Sequence, residues 1–236
     1  MESLKGKKVI LVGATGGIGT ATAKLLSGSQ AQVFMVGRNQ QKLMELSDRL
    51  SGTDRYTLDI TRDSDVSSMG LAYLEKYGTP DILINAAGIG IIRPLEQLTM
   101  DDFMRSLQTN LIGTFSLLKA FLPAMKEVKK GLIINIPGVL GKVPMAGAAA
   151  YSASKYGLIG MMQSVREEIK RTDIRITNLI LGGVDSPFWD TIDLRVQKEK
   201  MIREEEAAKA IWFLCQQPAS GVVSEMVLQP FNHQAV

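Results

Sequence analysis

The sequence predicts a doubly wound α/β fold, with a mostly parallel, seven-stranded sheet and helices on both faces. Two observations carry this prediction. Short β-rich runs alternate with segments of helical periodicity along the whole chain, and the first run leads straight into a glycine-rich turn. Strands separated by helix-length segments form βαβ units with parallel strands. Because such crossovers are right-handed, the helices are distributed over both faces of the sheet.

Seven short runs are interpreted as strands. They cover residues 8–12, 32–36, 55–58, 81–85, 132–136, 174–181 and 226–228. Helices are predicted over residues 18–26, where Ile18, Ala21 and Leu25 share one face, and over residues 41–50. Two longer stripes in steps of three and four predict further helices. Their members are Leu107, Leu111, Phe115, Leu118, Leu122 and Met125 in one, and Tyr151, Lys155, Leu158, Met162, Val165 and Ile169 in the other.

The composition is that of a globular protein. Of the 236 residues, 45% are hydrophobic and 22% are charged, which excludes a disordered, collagen-like or coiled-coil chain. No repeat, low-complexity tract or linker interrupts the chain, so one domain is expected over residues 1–236. The formal net charge is only +3. The basic cluster of Lys126, Lys129 and Lys130 is interpreted as a solvated helix end, so no nucleic-acid partner is expected.

Cysteine and histidine are almost absent. The single cysteine, Cys215, lies beside Leu214 and is interpreted as a buried thiol, and the lack of a possible intrachain disulfide favours a reducing, cytoplasmic compartment. The single histidine, His233, supports neither a metal cluster nor a serine–histidine triad, so no metal is expected.

No apolar run approaches the ~18 residues of a membrane helix, and the first residues lack the apolar core of a signal peptide, so no membrane partner is expected.

The turn after the first strand has glycine at positions 13, 16, 17 and 19 and opens a predicted helix. Glycines at a strand-to-helix turn let a phosphate approach the backbone amides, and the helix N-terminus adds unpaired N–H groups and a partial positive charge. A turn that merely needs glycine is the alternative, and the position after the first strand of an alternating chain favours the dinucleotide site.

The second strand ends without a carboxylate, in Val36-Gly37-Arg38-Asn39. An acidic residue there would bind a ribose 2′-hydroxyl, whereas an arginine suits a 2′-phosphate. Arg38 therefore predicts NADP(H) as the cofactor, with an exposed surface arginine as the alternative.

Five segments, in order and at matching spacing, resemble the short-chain dehydrogenase/reductase family over nearly the whole chain. They are Gly13, Gly17 and Gly19; Asp59-Ile60; Asn85-Ala86-Ala87-Gly88; Asn110 followed by Gly113; and Tyr151-Ser152-Ala153-Ser154-Lys155. The resemblance implies a Rossmann-type fold and an oxidoreductase with Tyr151, Lys155 and Asn110 as catalytic residues. The residues expected to contact the cofactor are Gly13, Thr15, Gly17, Ile18, Gly19, Arg38, Asp59, Ile60, Asn85, Ala86, Gly88, Tyr151, Lys155, Val184 and Ser186.

The spacing of Tyr151 and Lys155 has a chemical meaning of its own. Residues four apart on a helix are neighbours on one face. A nearby ammonium favours the phenolate, so we expect Lys155 to lower the pKa of Tyr151 toward the working pH of a general acid or base. An amphipathic helix with an exposed polar end is the alternative.

The pattern breaks where the family has its catalytic serine. The position thirteen residues before Tyr151 is Gly138, and residues 136–149 contain no serine or threonine. The missing hydroxyl would orient the reacting carbonyl, and loss of one such donor costs about 10²–10³ in rate. The alternative function is therefore a weakened or inactive NADP(H)-binding protein with a regulatory or interaction role. If the serine alone is missing, Gly138→Ser should raise activity at least about tenfold.

A second departure follows the sixth strand, where Leu181 replaces the family proline and Ser186 replaces a threonine but keeps its hydroxyl. The substrate lid is expected over residues 185–203. Its apolar residues and those of the facing wall predict a small apolar carbonyl or alcohol substrate, or else they pack the lid onto the domain or a partner subunit. They are Phe188, Trp189, Ile192 and Leu194, facing Ile89, Ile91, Val139 and Met145. The two long helical stripes lie where the family forms subunit contacts, so a homodimer or homotetramer is expected.

Overall fold

The computed structural model describes residues 1–232, so His233 lies outside the described residues. Its main sheet has seven strands, all parallel, which confirms the predicted fold class. Two further short strands lie outside this sheet. In chain order, the strands of residues 1–232 are β1 (Lys8–Val12), β2 (Gln32–Gly37), β3 (Thr53–Thr57), β4 (Ile82–Asn85), β5 (Lys130–Asn135), β6 (Asp173–Leu181), β7 (Val184–Asp185), β8 (Ile202–Arg203) and β9 (Glu225–Leu228). β7 and β8 form a separate parallel pair.

The strand order of the large sheet is β3-β2-β1-β4-β5-β6-β9. The direction of winding reverses between β1 and β4, which pair in parallel with Val12 beside Asn85. In an open α/β sheet the connections leave such neighbours in opposite directions, and a crevice opens beyond their carboxyl ends. The fold therefore places a cleft just after Val12 and Asn85.

Seven helices cover the two faces. They are α1 (Gly17–Gly28), α2 (Gln40–Asp48), α3 (Asp63–Tyr77), α4 (Met100–Leu107), α5 (Gly113–Val128), α6 (Ala149–Ile169) and α7 (Glu204–Leu214). The predicted stripe over residues 107–125 is not one regular helix, because a π-helical turn, Gln108–Ile112, joins α4 to α5. The extra residue of a π turn shifts the register, and Phe115 consequently points outward with 48% of its surface exposed.

Two apolar cores lie on opposite faces of the sheet. Along β1, Leu11 faces the core that α1 and α7 close, and Ile10 faces the core closed by α3, α5 and α6. This alternation follows from the period of two along a strand, and a strand buried on both faces is accordingly apolar throughout. The second core contains an edge-to-face pair of Tyr73 and Phe121, with ring centroids 5.6 Å apart.

Two minor predictions are confirmed. Cys215 is only 6% exposed, and burial raises the pKa of its thiol. The lysine cluster lies at the end of α5, where Lys129 adopts a left-handed conformation and Lys126 forms an ion pair with Glu168 at 2.9 Å. Two separate findings concern residues 1–232: none of their helices is long and apolar enough to cross a membrane, and they contain no group of three or more His, Cys, Asp or Glu side chains placed to hold a metal ion.

Candidate active site

The cleft beyond β1 and β4 contains a cavity of about 240 Å³. Seven of the predicted cofactor residues line it: Gly13, Thr15, Arg38, Asp59, Ile60, Ala86 and Gly88. The lining also includes Thr109, from the π-helical turn, and Ile89, neither of which was predicted to bind the cofactor. The cavity is therefore formed by the turn into α1, by the residues at the carboxyl ends of β2 and β3, and by the loop after β4.

The glycine-rich turn forms the floor of the cavity because it packs against the loop after β4. Gly13 has a φ of +82°, and a Cβ built there would lie 2.6 Å from the amide nitrogen of Ala87. A Cβ on Gly19 would overlap the carbonyl oxygen of Gly13. No side chain caps α1, whose N-cap is Gly16, so the first amides of the helix have no side-chain partner. This open cradle fits a dinucleotide phosphate.

Two charged side chains flank the cavity after β2 and β3. Arg38 is exposed at the rim and forms no hydrogen bond or ion pair with any residue of the described chain. Burial raises the pKa of Asp59, but hydrogen bonds from the amide and hydroxyl of Thr61, with the charges of Arg38 and Arg62, outweigh burial and lower that pKa below its ordinary value. Asp59 therefore remains ionised at neutral pH, and Arg38 is free to meet an anion.

Eight other predicted cofactor residues lie outside the cavity lining: Gly17, Ile18, Gly19, Asn85, Tyr151, Lys155, Val184 and Ser186. Asn85 is turned into the fold, where its Nδ2 donates to Thr114 Oγ1 at 2.7 Å and its Oδ1 accepts from the amide of Ala87 at 3.2 Å. It shapes the wall of the cleft rather than facing it.

Asn110 lies in the π-helical turn and is 1% exposed. Its Oδ1 accepts from the amide of Ile89 at 2.9 Å, and its Nδ2 donates to the carbonyl of Ile89 and to Ser154 Oγ, each at 3.0 Å. Ser154 Oγ in turn donates to the carbonyl of Tyr151 at 2.6 Å. The amide of Asn110 therefore joins the loop after β4 to α6, the helix that carries Tyr151 and Lys155.

Tyr151, Lys155 and Asn110 converge beside two glycines. A Cβ on Gly88 would lie 3.2 Å from Asn110 Oδ1 and 3.4 Å from Lys155 Nζ, and a Cβ on Gly138 would lie 3.6 Å from Tyr151 Oη. Lys155 Nζ lies 5.5 Å from the centre of the Tyr151 ring. The predicted spacing on one helix face is thus realised, and Lys155 Nζ lies close to Gly88, which lines the cavity.

The expected lowering of the Tyr151 pKa is wrong for the protein in this state. Burial raises the pKa of Tyr151 above its ordinary value, and burial lowers the pKa of Lys155 to about 8. Lys155 donates to the carbonyl of Ile136 at 3.1 Å, so its ammonium is directed at a backbone oxygen rather than at the phenol. The ring of Phe188 packs against that of Tyr151 at 5.9 Å and helps to exclude water. Tyr151 therefore retains its proton at neutral pH.

Gly138 has a backbone conformation that residues other than glycine rarely adopt. Its φ is +76° and its ψ is 165°, a region that is essentially restricted to glycine. Space for a side chain exists, since the nearest atoms to a Cβ are 3.6 Å away. The prediction that Gly138→Ser raises activity stays a prediction, and the structure adds that a serine at this position would strain the loop.

The predicted lid is a loop whose two ends are joined by the β7–β8 pair, in which Val184 lies beside Ile202. Trp189 Nε1 donates to the carbonyl of Val184 at 2.8 Å and anchors the first turn of the lid. A Cβ on Gly90 would overlap the Phe188 ring and would approach Ile192 Cδ1 to 2.9 Å. Phe188 and Ile192 thus cover the catalytic end of the cleft, whereas Leu194 is 44% exposed.

Sequence reasoning did not find the contribution of α7. The carboxylate of Glu204, the first residue of α7, lies against Gly17, the first residue of α1. Nothing in the local pattern of three successive glutamates indicates this contact, which depends on how α7 packs on α1.

Comparison with known proteins agrees with this geometry. The short chain dehydrogenase family model matches residues 7–196. An uncharacterized oxidoreductase of Staphylococcus epidermidis is 30% identical over 231 residues, which cover 98% of this chain and 100% of that relative. Sepiapterin reductase of Chlorobaculum tepidum is 34% identical over 178 residues, covering 75% of this chain and 72% of the reductase.

A solved structure of a metagenomic short-chain oxidoreductase in complex with NADP superposes with a TM-score of 0.83 at 29% identity, covering 97% of this chain and 99% of that one. The matched segment, 7–196, runs from the glycine-rich turn through the Tyr151–Lys155 pair to the lid. With its parallel sheet, its phosphate cradle and its tyrosine–lysine helix, the chain belongs to the short-chain dehydrogenase/reductase family.

Proposed function

We propose that this protein is an NADP(H)-dependent oxidoreductase that transfers a hydride between the nicotinamide and a small carbonyl or alcohol substrate. The observation that carries the proposal is the convergence of Tyr151, Lys155 and Asn110 at one end of a glycine-floored cleft whose other end bears Arg38. The NADP held by the similar metagenomic oxidoreductase supports the choice of cofactor.

The cofactor would be held at three places along the cleft. Arg38 would bind the 2′-phosphate, because its guanidinium is exposed and unpaired among the described residues. The uncapped start of α1 would receive the pyrophosphate. Gly88 would lie beside the nicotinamide ribose, where a side chain would crowd both Asn110 and Lys155.

In reduction, a bound NADPH would supply the hydride for the carbonyl carbon. Tyr151 Oη donates its proton to the carbonyl oxygen, so that the carbonyl becomes an alcohol and the phenol becomes a phenolate. The raised pKa of Tyr151 keeps this proton in place at neutral pH. Lys155, whose pKa of about 8 leaves it mostly protonated there, stabilises the phenolate as it forms. Asn110 keeps α6 in register with the loop after β4.

The substrate would be small and apolar, because Phe188 and Ile192 cover the catalytic end of the cleft. The Phe188 ring lies 5.9 Å from the Tyr151 ring, so the lid over residues 185–203 would contribute an apolar wall beside the proton donor. We also propose that residues 1–236 form one domain, which contains both the cofactor cleft and the lid.

Gly138 favours a second candidate function, an NADP(H)-binding protein with little turnover that acts by association or regulation. The site lacks the hydroxyl that would orient the carbonyl, and the loop has a conformation that opposes its return. The two candidates share the cofactor and differ in the rate of hydride transfer.

The protein would assemble as a homodimer or homotetramer through α5 and α6. Phe115 on α5 and Tyr156 on α6 are 48% and 47% exposed, and Met104 on the adjoining α4 is 47% exposed. Large apolar side chains exposed together on neighbouring helices are typical of a surface that a second chain covers.

Replacement of Tyr151 by phenylalanine should reduce the rate of NADPH oxidation with a panel of aldehydes and ketones by about 10²–10⁴-fold, because the proton donor is lost. The affinity for NADPH should change by less than about threefold, since the phenol hydroxyl makes no described contact with the phosphate cradle. The decrease in NADPH absorbance measures the rate, and calorimetric titration measures the affinity. If no member of the panel is reduced by the parent protein while NADPH binds, the second candidate function is favoured.

Replacement of Arg38 by leucine should weaken NADPH binding by about 10- to 100-fold, the contribution of a charge-assisted hydrogen bond to the phosphate. NADH binding should be nearly unchanged, because NADH lacks the 2′-phosphate. Arg49→Leu, at an exposed arginine that ends α2, is the matched control. A parent protein that prefers NADH would contradict the assignment of Arg38.

The serine and alanine variants of Gly138 separate backbone strain from the missing hydroxyl. Both substitutions should lower the free energy of unfolding by about 1–3 kcal/mol, because each places a side chain at φ +76°. Among the molecules that fold, Gly138→Ser should be at least about tenfold faster than Gly138→Ala in carbonyl reduction. Denaturant titration and steady-state rates provide the two measurements. Equal rates would show that a serine hydroxyl is of no use in this loop.

Phe115→Glu should shift the protein to a monomer of 25.8 kDa by light scattering, because burying a carboxylate in an apolar interface is unfavourable. Leu71→Glu, at a position of α3 that is 72% exposed, should leave the parent's oligomeric state unchanged. A parent protein that is already monomeric would contradict the proposed assembly.

A further inference from the structure

The first turns of α1 and α7 meet beside the phosphate cradle. Glu204, at the start of α7, extends its carboxylate over the Cα of Gly17, at the start of α1, so closely that a Cβ on Gly17 would overlap Oε1 and would lie 2.8 Å from Oε2. A side chain at position 17 would therefore have to displace this carboxylate. A negative group already lies at the helix end that the proposed function assigns to the pyrophosphate.

The carboxylate of Glu204 is partly buried and poorly neutralised. It forms no hydrogen bond or ion pair with another residue in the stretch 1–232. Burial raises its pKa, and the negative charges of Glu205 and Asp185 raise it further, with a smaller opposing effect of Lys24 on α1. The group that favours a negative charge at this point is the N-terminus of α1, whose first amides lack a side-chain cap.

We propose that Glu204 sets the affinity for the cofactor by acting as an internal anion at the N-terminus of α1. In the empty protein its carboxylate interacts with the positive end of the helix. When a dinucleotide binds, its pyrophosphate needs the same end, and the carboxylate either withdraws or remains as a like charge nearby. Both responses oppose binding and favour release. This inference rests on the proposed function, because that function places the pyrophosphate at α1.

The charge and the position of the carboxylate can be tested separately. Glu204→Gln removes the charge at nearly constant shape, and Glu204→Asp keeps the charge but withdraws it from Gly17. Glu205→Gln is the matched control, because it removes the same charge from an exposed neighbour on the same helix turn. Binding is measured by calorimetric titration with NADPH, and with adenosine 2′-monophosphate, which has the 2′-phosphate but no pyrophosphate.

The Glu204→Gln variant should bind NADPH about three- to tenfold more tightly than the parent, and Glu204→Asp should change in the same direction. Glu205→Gln should change the affinity by less than about twofold, and the affinity for adenosine 2′-monophosphate should be the same in all four proteins. Without ligand, Glu204→Gln should melt at a temperature no lower than that of the parent, because the raised pKa of Glu204 means that its carboxylate is less favourable in the folded protein than in the unfolded chain.

Two results of the NADPH titrations would overturn the inference and leave the proposed function standing. One is tight NADPH binding by the parent with no gain in Glu204→Gln, and the other is an equal gain in Glu205→Gln, which would indicate a general charge effect. A parent protein that does not bind NADPH would overturn the proposed function, and the inference with it. A gain that appears equally with adenosine 2′-monophosphate would place the effect away from the pyrophosphate and would also reject the proposal.

Discussion

The buried amide of Asn110 is the interaction on which the site depends. It bonds both backbone groups of Ile89 and the hydroxyl of Ser154, and so fixes the loop after β4 against α6. A regular helix through this region would not present the residue in the same way, because the π-helical turn shifts the register between α4 and α5. At 1% exposure the amide has no access to bulk water, so losing one partner would leave a buried polar group unsatisfied. The positions of Tyr151 and Lys155 follow from this bridge.

In the cleft, the pKa values of Tyr151 and Lys155 are shifted by burial and not by ion pairs with other side chains. Tyr151 is kept protonated and Lys155 is brought to a pKa of about 8 by the removal of water, with the Ile136 carbonyl as the partner of the ammonium. At the other end of the cleft, Arg38 remains in solvent and Glu204 lies against α1. The proposed cofactor path therefore runs from the exposed cation of Arg38, past a helix end beside the carboxylate of Glu204, to the buried Lys155 and the half-buried Tyr151. A long anionic ligand with an uncharged reactive end suits this sequence of environments.

Much of the fold and part of the site could be predicted because the relevant signals are local. Strands such as β1, β2 and β4 were recognisable since each is a short apolar run, and the tyrosine–lysine pair since residues four apart share a helix face. The helix α3 has the same kind of signal, with Val66, Met69 and Tyr73 buried at steps of three and four, but it lies outside the predicted elements. The long stripe over 107–125 was correctly assigned to helix, yet its π turn has no periodic signature that distinguishes it from a regular α-helix.

The sequence by itself determined the α/β alternation, the glycine-rich turn after the first strand, the arginine that ends the second, and the missing serine at Gly138, because each depends on residue type and short-range spacing. Only the tertiary structure decided that Gly138 has a left-handed backbone, that Phe188 packs on Tyr151, and that Glu204 reaches Gly17. These features arise from segments far apart in the chain, brought together by the burial of the two cores. Local patterns carry no information about which side chain from a distant helix will fill the space above a glycine.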